Sequence, residues 1–168
     1  MVLKLLSEFK LNLMIFSYYT KECVIIYSIY KDCISEYKNI DYKIENEFIN
    51  QNKKRFFVTI DGKLAHESYL FKKIFLLKLI NKKGPAIGEC FTNEEFKGKS
   101  IYPFVINHIA REEILKNKQK EVFIIVNSDN ISSIKGIEKA GFELYTKIKA
   151  NRFLFFHYNV TKTDCFSS

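Results

Sequence analysis

The chain has no tryptophan, only two prolines and only six glycines in 168 residues. With so few, each glycine or proline is expected to answer a specific backbone need. Cysteine is scarce as well. Cys23, Cys33, Cys90 and Cys165 form no Cys-x-x-Cys pair and have no histidine at ligand spacing. No metal is therefore expected, and the thiols are read as reduced and mostly buried. Long hydrophobic runs are absent too. The longest uncharged stretch near the N-terminus, residues 11–20, is closed by Lys21 and Glu22. That falls well short of the roughly 20 residues a spanning helix needs. Glu8 and Lys10 interrupt the start and no small-residue cleavage site follows, so neither an anchor nor a leader is expected and the reading is cytoplasmic. Nor is there a long basic run. The 27 Lys and Arg against 19 Asp and Glu leave a net charge of +8, carried in scattered pairs such as Lys53-Lys54, Lys72-Lys73 and Lys82-Lys83. A basic excess suits an anionic ligand, but charge alone does not say which one.

What is present points to a packed globule. Apolar residues make up 47%, with 16 Phe and 10 Tyr, and the length suffices for one core without disulfides. No repeat, low-complexity tract or linker divides the chain, so residues 1–168 are expected to form a single domain. Residues 11–19 and 24–30 are rich in Ile, Phe and Tyr and read as strands joined by a turn at Thr20-Lys21-Glu22, although periodicity does not exclude helix. Tyr37, Ile40, Ile44, Phe48 and Ile49 recur at helical spacing and predict an amphipathic helix over 35–51. Asp61-Gly62 between two apolar runs predicts a hairpin of strands 55–60 and 64–71. Residues 71–80 continue the strand or begin a short helix, and 81–85 form a loop. A strand is expected at 86–92 and a helix at 101–116, where Pro103 in the first turn removes no needed N–H. The unbroken apolar run 122–126 reads as a central strand. Asp129 or Asn130 then caps a short helix that stops at Gly141, with Phe142 packing back on Ile137. Two strands, 143–150 and 152–158, close the chain. The layout is α/β with a mixed sheet.

The informative unit is a strand, a short polar turn, Lys97-Gly98-Lys99-Ser100, and then a helix. A helix N-terminus presents unpaired N–H groups and about half a positive charge, so it binds phosphate readily. Gly98 permits close approach or a positive φ, and Lys97 and Lys99 add charge.

The run Cys90-Phe91-Thr92-Asn93-Glu94-Glu95-Phe96-Lys97-Gly98-Lys99-Ser100-Ile101-Tyr102 resembles the acetyl-CoA motif of the acyl-CoA N-acyltransferase (GNAT) superfamily. In that motif an apolar strand and a turn containing Glu lead into Arg/Gln-x-x-Gly-x-Gly/Ala at the start of a helix. Downstream, Asn130 through Glu138-Lys139-Ala140-Gly141-Phe142 is similar to the family's second signature, an Asn opening a short helix that ends in Lys-x-Gly-Phe. The resemblance implies a GNAT-like central mixed sheet flanked by helices, with acetyl-CoA as cosubstrate. It also implies roles at the cofactor. Phe91 and Thr92 would offer backbone groups to the pantetheine arm, Lys97 would stand at the Arg/Gln position, and Gly98, Lys99, Ser100, Ile101 and Tyr102 would hold the pyrophosphate. Asn127 or Asn130 would meet the pantetheine end. Three positions depart from the pattern: Ser100 replaces Gly, Tyr102 replaces Gly or Ala, and Ile137 stands where a Tyr general acid is common.

Acyl transfer needs a base for the attacking amine and amides for the oxyanion. The resemblance makes Glu89 the leading base, on the strand that would abut the acetyl group. His66 and Glu67 lie on the hairpin strand that would line the acceptor pocket, and Tyr145 is a substitute acid for Ile137. His108, off the apolar stripe of its helix, is read as solvated, and His157 as structural. Cys90 has no His/Asn arrangement to make it a nucleophile. The expected activity is direct transfer of acetyl from acetyl-CoA to a primary amine of a small molecule: an amino sugar, amino acid or polyamine. The alternative is a GNAT-fold CoA-binding module with weak or no catalysis. Nucleic acid and membrane are not expected partners, and a homodimer stays open.

Overall fold

A computed structural model describes residues 19–35, 37, 42–153 and 156–164. Eight strands are assigned within them: β1 Tyr19–Tyr30, β2 Ile44–Phe48, β3 Lys53–Ile60, β4 Lys63–Phe71, β5 Ala86–Thr92, β6 Glu121–Asn127, β7 Glu143–Phe153 and β8 Phe156–Asp164. The helices are α1 Phe75–Lys78, α2 Ile101–Arg111 and α3 Ile131–Lys139. All eight strands join one mixed sheet in the order β2-β3-β4-β5-β6-β1-β7-β8. Every neighbouring pair is antiparallel except β5 and β6, which run parallel through α2 as crossover.

The β3–β4 hairpin turns on Asp61 and Gly62, whose φ values of 50° and 75° are those of a type I′ turn. That is the turn whose twist matches the strands it joins. Helix α2 buries Ile101, Val105, Ile106, Ile109 and Ala110 against the sheet. Each of its large aliphatic side chains contributes about 1.5–3 kcal/mol by leaving water. Its last turn relaxes into a π-helical stretch, Glu112–Lys116. Helix α3 ends as its sequence demands. Gly141 takes φ +90°, its N–H donates to Glu138 O at 3.0 Å, and Phe142 N–H donates to Ile137 O at 3.3 Å. These are the two bonds of a Schellman ending, and Phe142 and Ile137 share the main core. A smaller cluster of Ile26, Leu77, Ile80, Ala86, Phe123 and Ile148 covers the other sheet face beneath α1.

Three expectations need correction. Residues 20–22 do not turn; β1 runs straight through them and pairs with β7, while residues 11–18 lie outside the described part. The helix expected over 35–51 is replaced at 44–48 by edge strand β2, with Ile44 opposite Val58 and Phe48 opposite Lys54. Pairing with β3 overrides a spacing that reads equally as sparse alternation on an edge strand. Strand β7 runs further than expected, to Phe153, because it pairs with nearly the whole length of β1.

Candidate functional site

Strands β5 and β6 are paired for only two residues, Ala86↔Phe123 and Ile87↔Ile124, and then part. The cause is visible in β5. Glu89 takes φ +48°, and the register with β4 shifts between Glu67 and Tyr69, so β5 carries one residue more than its neighbour. Such a bulge bends the strand. A positive φ at glutamate costs about 1–2 kcal/mol and persists only where the surroundings enforce it. Beyond Ile87, the edge of β5 that would face β6 has no partner strand among the described residues.

The chain then enters α2 through a second strained turn. Asn93 caps the single 3-10 turn Glu94–Phe96 by accepting from Glu95 N–H, Gly98 has φ +77°, and Ser100, the N-cap of α2, has φ +59°. Ser100 thus adopts the left-handed conformation that glycine would supply at that point of the motif. A Cβ added at Gly98 would meet nothing within 4 Å, so substitution there strains the backbone rather than crowding it.

Cations gather at this helix start. Lys139, at the end of α3, donates from Nζ to Ser100 Oγ at 2.7 Å, and Lys99 Nζ stands 4.8 Å from the Phe96 ring centroid. Lys97 is instead paired with Glu94 at 2.5 Å. A free cation at the positive end of a helix is unfavourable unless an anion joins it. The arrangement suits a phosphate group.

Behind the turn lies a buried polar cluster. His66 is 0% exposed; Nδ1 lies 2.8 Å from Thr92 Oγ1 and Nε2 2.7 Å from Ser68 Oγ. Burial holds its pKa down at about 4. Its ring sits 5.6 Å from that of Tyr102. Tyr102 in turn reaches Cys90 on β5 and Ser133 on α3, and burial pushes its pKa up. Burial likewise pushes the Cys90 thiol up to about 12, so this cysteine is a thiol and no nucleophile at neutral pH. The Tyr102 ring therefore lies across the opening between β5 and α3. It fits because α3 carries Gly136: a Cβ there would stand 2.5 Å from Tyr102 Cδ1.

The other expected residues are placed as follows. Glu89 is exposed on the opposite sheet face and ion-paired with Lys53 at 2.5 Å, which ties up its carboxylate. Glu67 on that face is paired with Arg55. Phe91 is exposed and opposes Glu67, while Thr92 opposes and bonds His66. Ile101 is buried, so only its backbone can serve a ligand. Asn127 ends β6, and its carbonyl accepts from Asn130 N–H at 3.1 Å. The Asn130 side chain caps α3 by accepting from Ser133 N–H at 3.1 Å. Tyr145 is not at this site: it packs edge-on against Phe123 with the Lys82 ammonium 4.6 Å from its ring. Alternation along β7 turns it to the face under α1, so it is no substitute for Ile137, which is fully buried in the main core. His108 is half-buried with Nε2 3.8 Å from Glu112. The His157 side chain lies outside the described residues.

Sequence reasoning missed Lys139, Gly136 and the inward course of Tyr102. One signal was available. A glycine inside a helix costs about 1 kcal/mol relative to alanine and often marks a close neighbour.

No family model matches the chain, and no curated protein does. Solved structures do. A GNAT-family acetyltransferase from Colwellia psychrerythraea aligns with a TM-score of 0.54 at 15% identity, over 80% of this chain and 57% of that one. A GNAT-family protein from Novosphingobium aromaticivorans aligns with a TM-score of 0.55 at 12% identity, over 77% and 63%. A Drosophila protein aligns with a TM-score of 0.59 at 9% identity, over 80% and 52%. The chain spans between 52% and 63% of these structures. At such identities the likeness is one of fold: the chain has the fold of GNAT acetyltransferases. Among the described residues no helix is long and apolar enough to cross a membrane.

Proposed function

We propose that this chain, with the fold of GNAT acetyltransferases, is a cytoplasmic N-acetyltransferase that moves acetyl from acetyl-CoA to a primary amine of a small molecule. The observation that carries this reading is the turn into α2, where cations and left-handed residues meet at a helix start. Gly98 and Ser100 both take left-handed φ there, the first amides of a helix lack intrahelical partners, and Lys139 arrives from the other motif to meet Ser100. Acetyl-CoA would lay its pyrophosphate there and its pantetheine arm along the unpaired edge of β5. The amine nitrogen would attack the thioester carbonyl, backbone N–H groups of β5 would hold the oxyanion, and the C–S bond would then break. The amine nitrogen sheds one proton to solvent or a base as the amide forms, and the leaving thiolate takes one up, so the transfer is proton-neutral overall. The phenol near this opening is that of Tyr102, whose raised pKa keeps it protonated at neutral pH.

A second reading, a CoA-binding module with little catalysis, is favoured by one observation. Glu89 is engaged by Lys53, and no other carboxylate joins the His66, Cys90 and Tyr102 cluster among the described residues. Thermal shift with acetyl-CoA tests the shared premise, since a ligand at one hundred times its Kd stabilises by about 2.7 kcal/mol. No shift at millimolar acetyl-CoA would sink both readings. Given a shift, thiol release across a panel of amino sugars, amino acids and polyamines distinguishes enzyme from binder. Glu89→Gln should then lower turnover without changing acetyl-CoA affinity if Glu89 is the base.

A further inference from the structure

At the end of the sheet where β5 and β6 still pair, opposite the α2 N-terminus, lies a groove of about 1210 Å³. It exceeds the roughly 300–1,000 Å³ of ordinary small-molecule sites. The three lysine pairs that are scattered along the sequence, Lys53-Lys54, Lys72-Lys73 and Lys82-Lys83, all line it, together with Lys78. Three of these cations are neutralised: Lys53 by Glu89, Lys54 by Glu112 and Lys82 by Glu121. Lys72, Lys73, Lys78 and Lys83 have no carboxylate partner among the described residues. Two large aromatic side chains stand in the same lining yet face water: Phe48, 68% exposed, and Phe75, 59% exposed. Each has an unpaired lysine beside it, with Lys72 Nζ 5.8 Å from the Phe48 centroid and Lys78 Nζ 5.9 Å from that of Phe75.

We infer that this groove binds single-stranded nucleic acid, with Lys72, Lys73, Lys78 and Lys83 on its phosphates and Phe48 and Phe75 stacked on its bases. Cations alone would serve any polyanion, so the exposed rings decide the class. A base offers a π-face to each phenyl while its phosphate meets the neighbouring lysine, which is how proteins hold single strands without reading sequence. An acidic peptide brings carboxylates but no rings. A lipid surface is flat and does not follow a concave groove. A duplex keeps its bases stacked on one another and out of reach. The inference is independent of the acetyl-CoA site, from which the groove is separated by the length of β5.

The test is fluorescence anisotropy with a labelled mixed-sequence oligonucleotide of about 12 nucleotides, within the range such sites cover. Binding is expected at low salt, with a log–log salt slope of about −3 from four phosphate contacts. The double variant Lys72→Glu/Lys83→Glu should weaken binding at least about tenfold. Phe48→Ala and Phe75→Ala should each weaken it at least about fivefold, and Phe48→Tyr should retain it. All four positions are exposed, and an unchanged melting temperature and acetyl-CoA shift would show that these variants stay folded. Absence of binding at low salt overturns the inference. So does binding that ignores the phenylalanine variants, or equal binding of the matched duplex, inorganic polyphosphate, polyglutamate or phosphatidylserine vesicles.

Discussion

Where β5 and β6 part, the backbone is strained at Glu89 and Ser100 and the polar side chains behind it are buried. Where the same strands pair, at Ala86 and Phe123, the surface opens into a wide lysine-lined groove whose loops also carry a positive φ, at Asn81, but most of whose polar side chains face water. The first end is centred on one stretch, Glu89 to Tyr102, with His66 from β4 and Lys139 from α3 packed against it. The second is assembled from six short stretches that only the fold brings together. Strain and burial mark a site that must hold one geometry. Exposed charge and exposed rings mark one that accepts an adaptable ligand. If that contrast is right, the crowded end should be sensitive to protonation and to single methyl groups, and the groove end should not.

Acid gives the largest expected effect. His66 titrates near 6.5 in the unfolded chain and at about 4 when folded, because burial disfavours the charged ring. Its folded pKa is depressed, so its contribution is complete above about pH 6.5. It is lost as the pH falls from there to about 4, since only the unfolded state takes up the proton in that window. The difference amounts to about 3 kcal/mol. Urea unfolding between pH 7 and 4 should show this loss, and His66→Gln should flatten most of it. An equally steep acid limb in His66→Gln would move the sensitivity elsewhere and break the comparison.

How much of this was legible in the sequence follows the same divide. The Asp61-Gly62 hairpin, β5, α2 and the α3 ending at Gly141-Phe142 could be read because each rests on local chemistry: a turn dipeptide, an apolar run, a cap. The edge strand β2 could not, since Ile44 and Phe48 acquire strand structure only from pairing with Val58 and Lys54. At the candidate site, Gly98 to Tyr102 and Asn130 were named from their pattern alone. Tyr145 was placed by closeness in sequence alone. Strand alternation sends it to the sheet face that carries Phe123. Lys139 appeared as part of the second signature, while its contact with Ser100 spans 39 positions. The groove was invisible for the same reason.

A single methyl group gives the next effect. Gly136→Ala places a Cβ 2.5 Å from Tyr102 Cδ1, and overpacking of this kind costs about 1–3 kcal/mol. Part of this is offset by the roughly 1 kcal/mol that alanine gains in a helix. In a Tyr102→Ala background the clash disappears and the same change should stabilise by about 1 kcal/mol. A double-mutant cycle by thermal unfolding measures that coupling; additive effects would mean the ring does not lie on α3. The variants also bear on the cofactor. Tyr102→Ala removes a ring from the opening between β5 and α3, so acetyl-CoA binding should tighten about tenfold while Tyr102→Phe leaves it unchanged. Weaker binding in Tyr102→Ala would make the ring a contact of the ligand rather than an obstacle.

Lys139 offers the smallest effect, and the one that best separates a ligand cradle from a merely polar surface. It stands at two helix ends at once: the C-terminus of α3, where a cation is favourable, and the N-terminus of α2, where it is not. In the free protein the two contributions oppose each other, so Lys139→Met should leave stability within about 0.5 kcal/mol. With an anion on the α2 amides both contributions favour the lysine. Its loss should then weaken acetyl-CoA binding about two- to fivefold, the range of one charge at a helix end. Pantetheine, which has the arm but no phosphates, should bind both proteins alike. Calorimetric titration of the two ligands into the two proteins reads all four values. A drop in pantetheine affinity would assign Lys139 to the arm instead, and equal acetyl-CoA affinity would remove it from the site.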